Sequence, residues 1–287
     1  MTMPQILSVR GESAAEQLAA GLAHQATQAL IDEARLSPKP GLVDSRGSGA
    51  HQDLTLALME RSAHSLTSTF HALALHSFQR PADVALRQEV GRLGRDGEAL
   101  MMEATGGVNT HRGAIWAMGL LVSAVAMQPE TVSPQAIAKR AAKLAALPDA
   151  FSPKSFSKGS HAVQRYQVPG AREEAQGGFP HILELALPQL RNSRQAGATE
   201  SQSQLNALLA VMTRLTDTCV LSRGGLPALL AMHAGSRAVL KAGGTQTAAG
   251  RKHLQALENR MLSDNASPGG AADLLAATLF LDRVSLA

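Results

Sequence analysis

The sequence predicts an all-α fold, a single compact domain of many helices over residues 1–287. Aromatic residues make up only 3% of the chain and runs of β-branched residues are short, so little favours strands. Alanine, leucine, glutamine, glutamate, arginine and methionine are abundant, and these residues have high helix propensity. Serine, proline and glycine recur between segments whose apolar residues have helical spacing. Helices joined by polar loops are therefore expected.

Local start and stop signals place the helices of the first half of the chain. Ser13 opens the pattern of a capping box, so a helix is expected from there to about Arg35, where a Ser-Pro pair ends it. Ser133 marks another start, because the proline that follows it fits the first helical position. The other helices expected in this half cover about 54–80 and 81–103, and an apolar helix begins near His111.

The second half of the chain is less regular. Helical periodicity fades between 148 and 180, which predicts a long loop, and we interpret this loop as a mobile lid. A surface connector is expected over 191–199. Apolar residues at helical spacing predict further helices over 182–190, 202–218, 227–241 and 247–262, and a last helix after the Ser267-Pro268 pair.

The composition argues against several classes of protein. The net charge of +4 and the isoelectric point near 9.6 suit an acidic ligand such as a polyphosphate. The charge is spread out and stacking aromatics are scarce, so we expect no nucleic-acid partner. No apolar run reaches the roughly 20 residues that span a bilayer, so no membrane association is expected. With one cysteine, Cys219, and no apolar signal sequence at the start, a cytoplasmic protein is expected.

The loop that follows the first helix is the most informative segment. Within residues 37–44 and 49–53 it holds a cation, Lys39, two carboxylates, Asp44 and Asp53, and an imidazole, His51. Prolines flank Lys39 and restrict the backbone on both sides, so these groups lie on a stiff connector. The segment could simply end a helix and form a turn, but its rigidity and its charge favour a binding site.

Other glycine-rich junctions between helices also carry charged or polar side chains. The sequence contains no Walker-type loop, dinucleotide-binding fingerprint, paired cysteines or nucleophile elbow. A helix N-terminus beside a glycine can instead bind phosphate, although each junction could also be an ordinary turn or cap. The candidate residues at these junctions are Asn109, Thr110, His111 and Arg112; Asp217, Arg223, Gly224 and Gly225; and Asp264, Gly269, Gly270 and Asp273.

Carboxylates in these regions indicate a divalent cation. Mg²⁺ takes one or two carboxylates together with water and substrate phosphates, and it binds histidine poorly. His51 and His111 are therefore better suited to hydrogen bonding or acid–base catalysis. The carboxylates expected to include the Mg²⁺ ligands are Glu33, Asp44, Asp53, Glu98 and Asp217.

A series of short blocks, in order along roughly residues 33–281, resembles the triphosphoribosyl-dephospho-CoA synthase family. Several blocks in sequence are more specific than any one of them. Arg112 and Ala271 depart from the lysine and the serine that are common in the family, which leaves the phosphate site in place. The blocks are Glu33 and Ala34; Pro38 to Asp44; Gly49 to His51 with Asp53; Thr105 with Gly107 to Gly113; Gly170 to Arg172; Glu174 and Ala175; Gly178 to Pro180; Asp217 and Thr218; Arg223 to Gly225; and Ser267 to Gly270 with Ala272 to Ala276.

The resemblance implies a reaction between ATP and 3′-dephospho-CoA. The ribose 2′-hydroxyl of 3′-dephospho-CoA would attack the ribose C1 of ATP, expel adenine and keep the triphosphate on the transferred sugar. The product would be the precursor of the prosthetic group that a transferase attaches to an acyl carrier protein, either of malonate decarboxylase or of citrate lyase. The Ala- and Gln-rich chain favours malonate decarboxylase without settling the choice, and a homodimer is compatible with it.

The resemblance also implies roles for individual residues. An α-linked product made from a β-nucleotide implies inversion in a single displacement, with a base for the hydroxyl proton and a donor for the departing adenine. Lys39, Arg112 and Arg223 are expected to hold the triphosphate. The candidates for the base and for the Mg²⁺ ligand are Asp44, Asp53 and Glu98, and His51 and His111 are further catalytic candidates.

Two other classes of protein agree less well with the sequence. A metal-dependent helical phosphohydrolase acting on a nucleotide would also use histidine and aspartate, but there the two residues are normally adjacent, whereas Gln52 separates His51 from Asp53. A non-catalytic helical scaffold would need none of the charged glycine junctions and should have an exposed apolar stripe. The transferase is therefore the preferred interpretation.

Overall fold

The computed structural model describes residues 13–152 and 158–286, and within these ranges the chain forms helices and no β-strand. The all-α prediction is therefore confirmed. The helices are α1 (Ala14–Arg35), α2 (Leu56–Ser65), α3 (Thr67–Ser77), α4 (Val84–Ala104), α5 (Arg112–Met127), α6 (Pro134–Ala146), α7 (Lys158–Tyr166), α8 (Ala171–Gln176), a π-helical segment (His181–Ala186), α9 (Leu187–Gln195), α10 (Glu200–Met212), α11 (Thr218–Lys241), α12 (Ala248–Ser263) and α13 (Gly269–Leu286).

Side-chain caps begin the helices that the sequence signals predicted. The Ser13 hydroxyl accepts a hydrogen bond from the Glu16 amide at 3.2 Å, and the Ser133 hydroxyl accepts one from the Ala136 amide at 3.3 Å. Each bond satisfies one of the amides that a helix N-terminus leaves without an intrahelical partner. The predicted starts of α1 and α6 are therefore confirmed. The sequence could predict them because such caps depend only on neighbouring residues.

The predicted helix over 54–80 is wrong in one respect, because two helices occupy this segment. The chain bends at Leu66, which is fully buried and ends α2 with a hydrogen bond from its amide to the Ala63 carbonyl. After the bend, α2 packs against α1 and α4, whereas α3 packs against α1, α4 and α5. Tertiary packing around Leu66, which helical periodicity does not reveal, explains the difference.

The predicted loop over 148–180 is also wrong in part, since α7 and α8 occupy much of it. These helices have 9 and 6 residues, too short to produce a clear periodic pattern. Packing of α7 against α11, and of α8 against α5 and α6, stabilises them. Residues 153–157 lie outside the described part of the chain, and lid motion stays a prediction. The connector expected over 191–199 begins only after α9 ends at Gln195.

Two predicted boundaries in the second half differ from the structure. The helix expected over 202–218 ends at Met212, and α11 begins at Thr218 instead of near Pro227. Pro227 nevertheless lies just after a break in α11, where Gly225 has φ 68° and ψ −168°. A proline inside a helix removes a backbone donor and clashes with the preceding turn, so the chain leaves helical geometry immediately before it.

The core is built around α5 and α13. Both helices are buried along most of their length, α13 contacts α1, α5 and α10, and α3 and α6 cover other sides of α5. Alanine is frequent on the buried faces, which lets the helix axes approach closely. No helix in the described ranges is long and apolar enough to cross a membrane. The N-termini of α5, α11 and α13 meet at one end of this core, where the site lies.

We expect Gly225→Ala to lower the free energy of unfolding by at least about 1 kcal/mol, because its backbone lies in a region that only glycine occupies readily. Gly21→Ala in α1 is the matched control. Gly21 is exposed and a Cβ there meets no atom within 4 Å, so this change should raise the stability by roughly 0.5–1 kcal/mol. Urea denaturation of both variants measures the difference, and equal stabilities would contradict the assignment.

Candidate active site

The loop after α1 is held by a buried ion pair. The Lys39 ammonium donates hydrogen bonds to the carboxylate and to the backbone carbonyl of Glu33, both at 2.6 Å. The side chains of Lys39 and Glu33 are only 2% and 5% exposed. A charge this deeply buried requires its partner. The structure thus places the predicted phosphate ligand Lys39 in an internal ion pair that fixes the loop to α1.

Asp44 fastens the other end of this loop. Its carboxylate accepts hydrogen bonds from the Lys39 amide at 2.9 Å and from the amide and guanidinium of Arg46 at 2.8 and 2.7 Å. Burial alone would raise the pKa of Asp44, but these hydrogen bonds outweigh it and the pKa lies below the usual value. Arg46 also reaches Glu258 of α12 at 3.2 Å. This geometry holds Asp44 ionised inside the loop.

His51 and Arg223 connect the loop to α11 and to the start of α13. His51 Nε2 lies 2.8 Å from the Ser267 hydroxyl, and Arg223 contacts His51 Nδ1 at 3.2 Å. Arg223 also donates to the carbonyls of Ala50 and Asn265. Burial, together with the nearby Arg223 charge, lowers the pKa of His51 to about 4, so the imidazole is neutral at neutral pH.

The remaining predicted residues of the first half lie near the start of α5. His111 is buried, its Nδ1 lies 2.7 Å from the Ser62 hydroxyl, and its Nε2 has no hydrogen-bond partner. Ser62 also contacts the Thr110 hydroxyl at 2.5 Å. Burial and then the Lys39 charge lower the pKa of His111 to about 4. The Asn109 side chain caps α5 by accepting from the Arg112 amide at 3.3 Å.

Two aspartates, the buried Asp217 and the partly buried Asp273, occupy the point where helix N-termini meet. Asp217 caps α11 by accepting from the amides of Cys219 and Val220, at 2.8 and 3.2 Å, and it also accepts from the Ala271 amide of α13 at 2.9 Å. Asp273, in the first turns of α13, accepts from the Ala114 amide of α5. The positive ends of three helix dipoles therefore face these two carboxyl groups.

Glycines permit this close approach. A Cβ on Gly113 would lie 2.1 Å from an Asp273 oxygen, and one on Gly270 would lie 3.1 Å from an Asp217 oxygen. Gly269 approaches the Cys219 sulfur in the same way, and Gly224 packs against Ala228 and the 264–266 segment. The glycines predicted at these junctions therefore serve close contacts between helices.

The two aspartates repel each other and lie in a poorly solvated place. Burial, followed by the charges of Glu33 and Asp217, raises the pKa of Asp273 well above its usual value. Burial also raises the pKa of Asp217, although several backbone amides oppose the effect. Asp273 therefore binds a proton far more readily than an ordinary aspartate, which suits a proton-transfer group.

A pocket opens over these carboxyl groups. Its volume is about 100 Å³, and Asp217 and Asp273 both line it. Among the other residues that line the pocket, the Trp116 indole donates to the Ala171 carbonyl at 3.0 Å, and His181 Nδ1 lies 2.7 Å from the Glu174 carboxylate. The other large apolar residues of the lining are Phe179, Leu215 and Leu274. The segment expected to form a lid thus supplies one wall of the pocket.

Sequence reasoning named Asp217 as a site residue but left Asp273 and His181 out of the site. Asp273 was noted only as part of a charged glycine junction. Its position in the first turns of a helix, three residues after Gly270, was a usable signal, because a glycine and a carboxylate at this spacing lie on one helix face. His181 follows an irregular segment, and the sequence alone carried no signal for it.

The predicted metal ligands do not form one cluster. Glu33 pairs with Lys39, Asp44 with Arg46, and Glu98 with Arg112, while the Asp53 side chain is 67% exposed. Within residues 13–152 and 158–286, no group of three or more His, Cys, Asp or Glu side chains could hold a metal ion. A site made of one or two carboxylates with substrate phosphates stays a prediction, and Asp217 and Asp273 offer such a pair.

The fold and the pocket define an α-helical enzyme whose carboxyl groups converge at helix N-termini. The family model described as CitG: ATP:dephospho-CoA triphosphoribosyl transferase matches residues 19–287, and the chain belongs to this transferase family. It is 69% identical over 271 residues to the 2-(5''-triphosphoribosyl)-3'-dephosphocoenzyme-A synthase of Klebsiella pneumoniae, covering 94% of this chain and 97% of that protein.

A solved structure shares the fold. A crystal structure from Archaeoglobus fulgidus, described as that of a triphosphoribosyl-dephospho-CoA synthase, superposes with a TM-score of 0.50. The match covers 77% of this chain and 97% of that chain, at 17% sequence identity. At this identity the similarity shows a common helical architecture.

We expect Lys39→Met to lower the free energy of unfolding by about 3–5 kcal/mol, because Glu33 would be left buried without its cation. The double variant Glu33→Gln/Lys39→Met should recover much of this loss. Asp96→Asn, which breaks an exposed ion pair of α4, is the control and should cost less than about 1 kcal/mol. Urea denaturation tests this, and a Lys39→Met cost no larger than that of the control would contradict the structural role of Lys39.

Proposed function

We propose that this enzyme transfers the 5-triphosphoribosyl group of ATP to the ribose 2′-hydroxyl of 3′-dephospho-CoA and releases adenine. Membership of the transferase family supports the proposal, as does the identity with the Klebsiella pneumoniae synthase. The single observation that carries it is the pair of interacting carboxyl groups, the buried Asp217 and the partly buried Asp273, which line one pocket together with apolar side chains. The product would be 2′-(5″-triphosphoribosyl)-3′-dephospho-CoA.

The reaction needs one proton to leave the nucleophile and one to reach the leaving group. The 2′-oxygen forms a bond to C1 of the ATP ribose while the bond from C1 to adenine breaks, and the electron pair of that bond leaves with adenine. Positive charge develops on the sugar in the transition state. Carboxylates beneath the sugar stabilise this charge, and their burial strengthens the attraction.

We assign different roles to the two aspartates. Both oxygens of Asp217 accept hydrogen bonds from backbone amides, so this carboxylate is fixed and acts through its charge. For Asp273, the described part of the chain supplies one hydrogen-bond donor, the Ala114 amide. Asp273 therefore has an oxygen available to take the proton of the 2′-hydroxyl, and its raised pKa makes it a stronger base than an ordinary aspartate.

The aromatic lining of the pocket suits the adenine. Trp116 and Phe179 provide flat apolar surface for a purine ring. His181 lines the same pocket, and Glu174 holds its Nδ1 at 2.7 Å, which orients the imidazole with Nε2 on its other edge. We propose that His181 donates the proton that the departing adenine receives.

Magnesium and the cellular setting complete the proposal. Asp217 contacts no cation among the described side chains, and a carboxylate of this kind fits Mg²⁺ shared with substrate phosphates, which leaves Asp273 to take the proton. When bound, Mg²⁺ would neutralise triphosphate charge.

We place the enzyme in the cytoplasm, where it would supply the prosthetic-group precursor for the acyl carrier protein of malonate decarboxylase or citrate lyase. A homodimer is compatible with this role.

The direct test incubates the purified protein with ATP, Mg²⁺ and 3′-dephospho-CoA and measures free adenine and the heavier CoA derivative by mass spectrometry. We expect both products in equal amounts. Release of ADP or phosphate without adenine would instead indicate a phosphohydrolase and would exclude the proposed transfer.

We expect Asp273→Asn to lower kcat by about 10²- to 10⁴-fold, the usual contribution of a general base, while the protein stays folded. The fold should persist because the change removes a buried like charge. Asp96→Asn, on the exposed face of α4, is the matched control and should keep full activity. Full activity of a folded Asp273→Asn variant would exclude Asp273 as the base.

A further inference from the structure

A second cavity lies between α4 and α5 and has no role in the mechanism above. Its volume is about 210 Å³. Trp116 lines this cavity as well as the pocket over the aspartates, so the two spaces adjoin the same indole ring. Three arginines, Arg87, Arg95 and Arg112, line the cavity, together with two carboxylates, Glu98 and Asp149.

The innermost arginine is poorly satisfied. Arg87 is 4% exposed, its guanidinium lies 5.3 Å from the centroid of the Trp116 ring, and its Nε has no hydrogen-bond partner. The distance from its Nη1 to the Asp149 carboxylate is long, at 3.4 Å. A buried guanidinium with an unused donor and one weak partner has capacity for a further anion.

Positive charge exceeds negative charge around this arginine. Arg95 donates to the same Asp149 oxygen at 2.8 Å, so one carboxylate serves two guanidinium groups. Glu98 is already paired with Arg112. The charge of the exposed Arg172 acts on Arg87 from a further side. Burial and these neighbouring arginines lower the pKa of Arg87, so an additional anion would relieve an unfavourable arrangement.

Glycines keep the cavity open. Gly91 and Gly94 of α4 and Gly119 of α5 all line it. A Cβ on Gly91 would lie 2.1 Å from the Asp149 carboxylate, whereas the nearest atom to a Cβ on Gly94 would be 4.0 Å away. Glycine is unfavourable inside a helix, so the space left at Gly94 is not explained by helix formation. The cavity is thus both cationic and unfilled.

We propose that this cavity binds a linear polyphosphate, with Arg87 and Arg95 as its ligands and Asp149 as the counter-ion that the phosphate displaces. Guanidinium groups bind phosphate through paired, charge-assisted hydrogen bonds, which suits such a ligand. Anion binding here does not require catalysis, but the choice of substrate rests on the proposed function. The polyphosphate would be the triphosphate of ATP, whose ribose would lie beyond Trp116, or the diphosphate of 3′-dephospho-CoA.

Isothermal titration calorimetry of the full-length protein with inorganic tripolyphosphate tests the proposal at fixed ionic strength. We expect Arg95→Gln to weaken binding by at least about tenfold, the usual effect of losing a charged hydrogen bond. Arg92→Gln is the matched control, since it removes the same charge from an exposed position on the same helix and should leave the affinity unchanged. Asp149→Asn should tighten binding, because the competing carboxylate is removed.

Each outcome of this experiment bears on the cavity. No binding to the unmodified protein, unchanged binding to Arg95→Gln, or equal losses for Arg92→Gln and Arg95→Gln would overturn the proposal. Parallel titrations with ATP and with 3′-dephospho-CoA identify the source of the phosphate, because Arg95→Gln should weaken only the one whose phosphates lie here. The protein could bind tripolyphosphate in a way that depends on Arg95 and yet release no adenine. That result would support polyphosphate binding in the cavity and reject the proposed transfer.

Discussion

The site depends on keeping two interacting carboxyl groups in a poorly solvated place, which is unfavourable unless the surroundings compensate for it. Asp217 is 1% exposed and Asp273 is partly buried, and the N-termini of α5, α11 and α13 supply the compensation through backbone amides. Gly113 is required because a side chain there would collide with the Asp273 carboxyl group, and Gly270 leaves only a tight space beside Asp217. The helix packing and the proton affinity of Asp273 are therefore consequences of one constraint.

The charged residues around this point divide into structural and reactive groups. Lys39, Asp44 and Arg223 all bind partners within the protein, and they fix the loop after α1 against α1, α12 and the start of α13. Trp116 lines both spaces. The pocket that Asp217 and Asp273 line is acidic, whereas the second cavity is rich in arginine. A substrate with a cationic transition state at its sugar and anionic phosphates matches this separation of charge.

The sequence predicted what neighbouring residues determine. Helices α1 and α6 begin where Ser13 and Ser133 signal them, because a cap forms within one turn. It could not predict the bend at Leu66, which depends on packing between distant helices. For the same reason the composition of the loop did not show that Lys39 is buried beside Glu33, and nothing in the sequence distinguishes Arg87 and Arg95 from the exposed Arg92 of the same helix. Roles that depend on burial require the fold.

The most direct test of this account is a pH titration of the Asp273 carboxyl group by ¹³C NMR, with Asp273→Asn used to assign the signal. The account requires that this group titrates well above the usual aspartate value near 4, because it is buried close to Glu33 and Asp217. Replacing Glu33 with glutamine should then move the midpoint down. A midpoint near the usual value, insensitive to Glu33, would contradict the central claim that the helix N-termini hold a desolvated, interacting carboxyl pair.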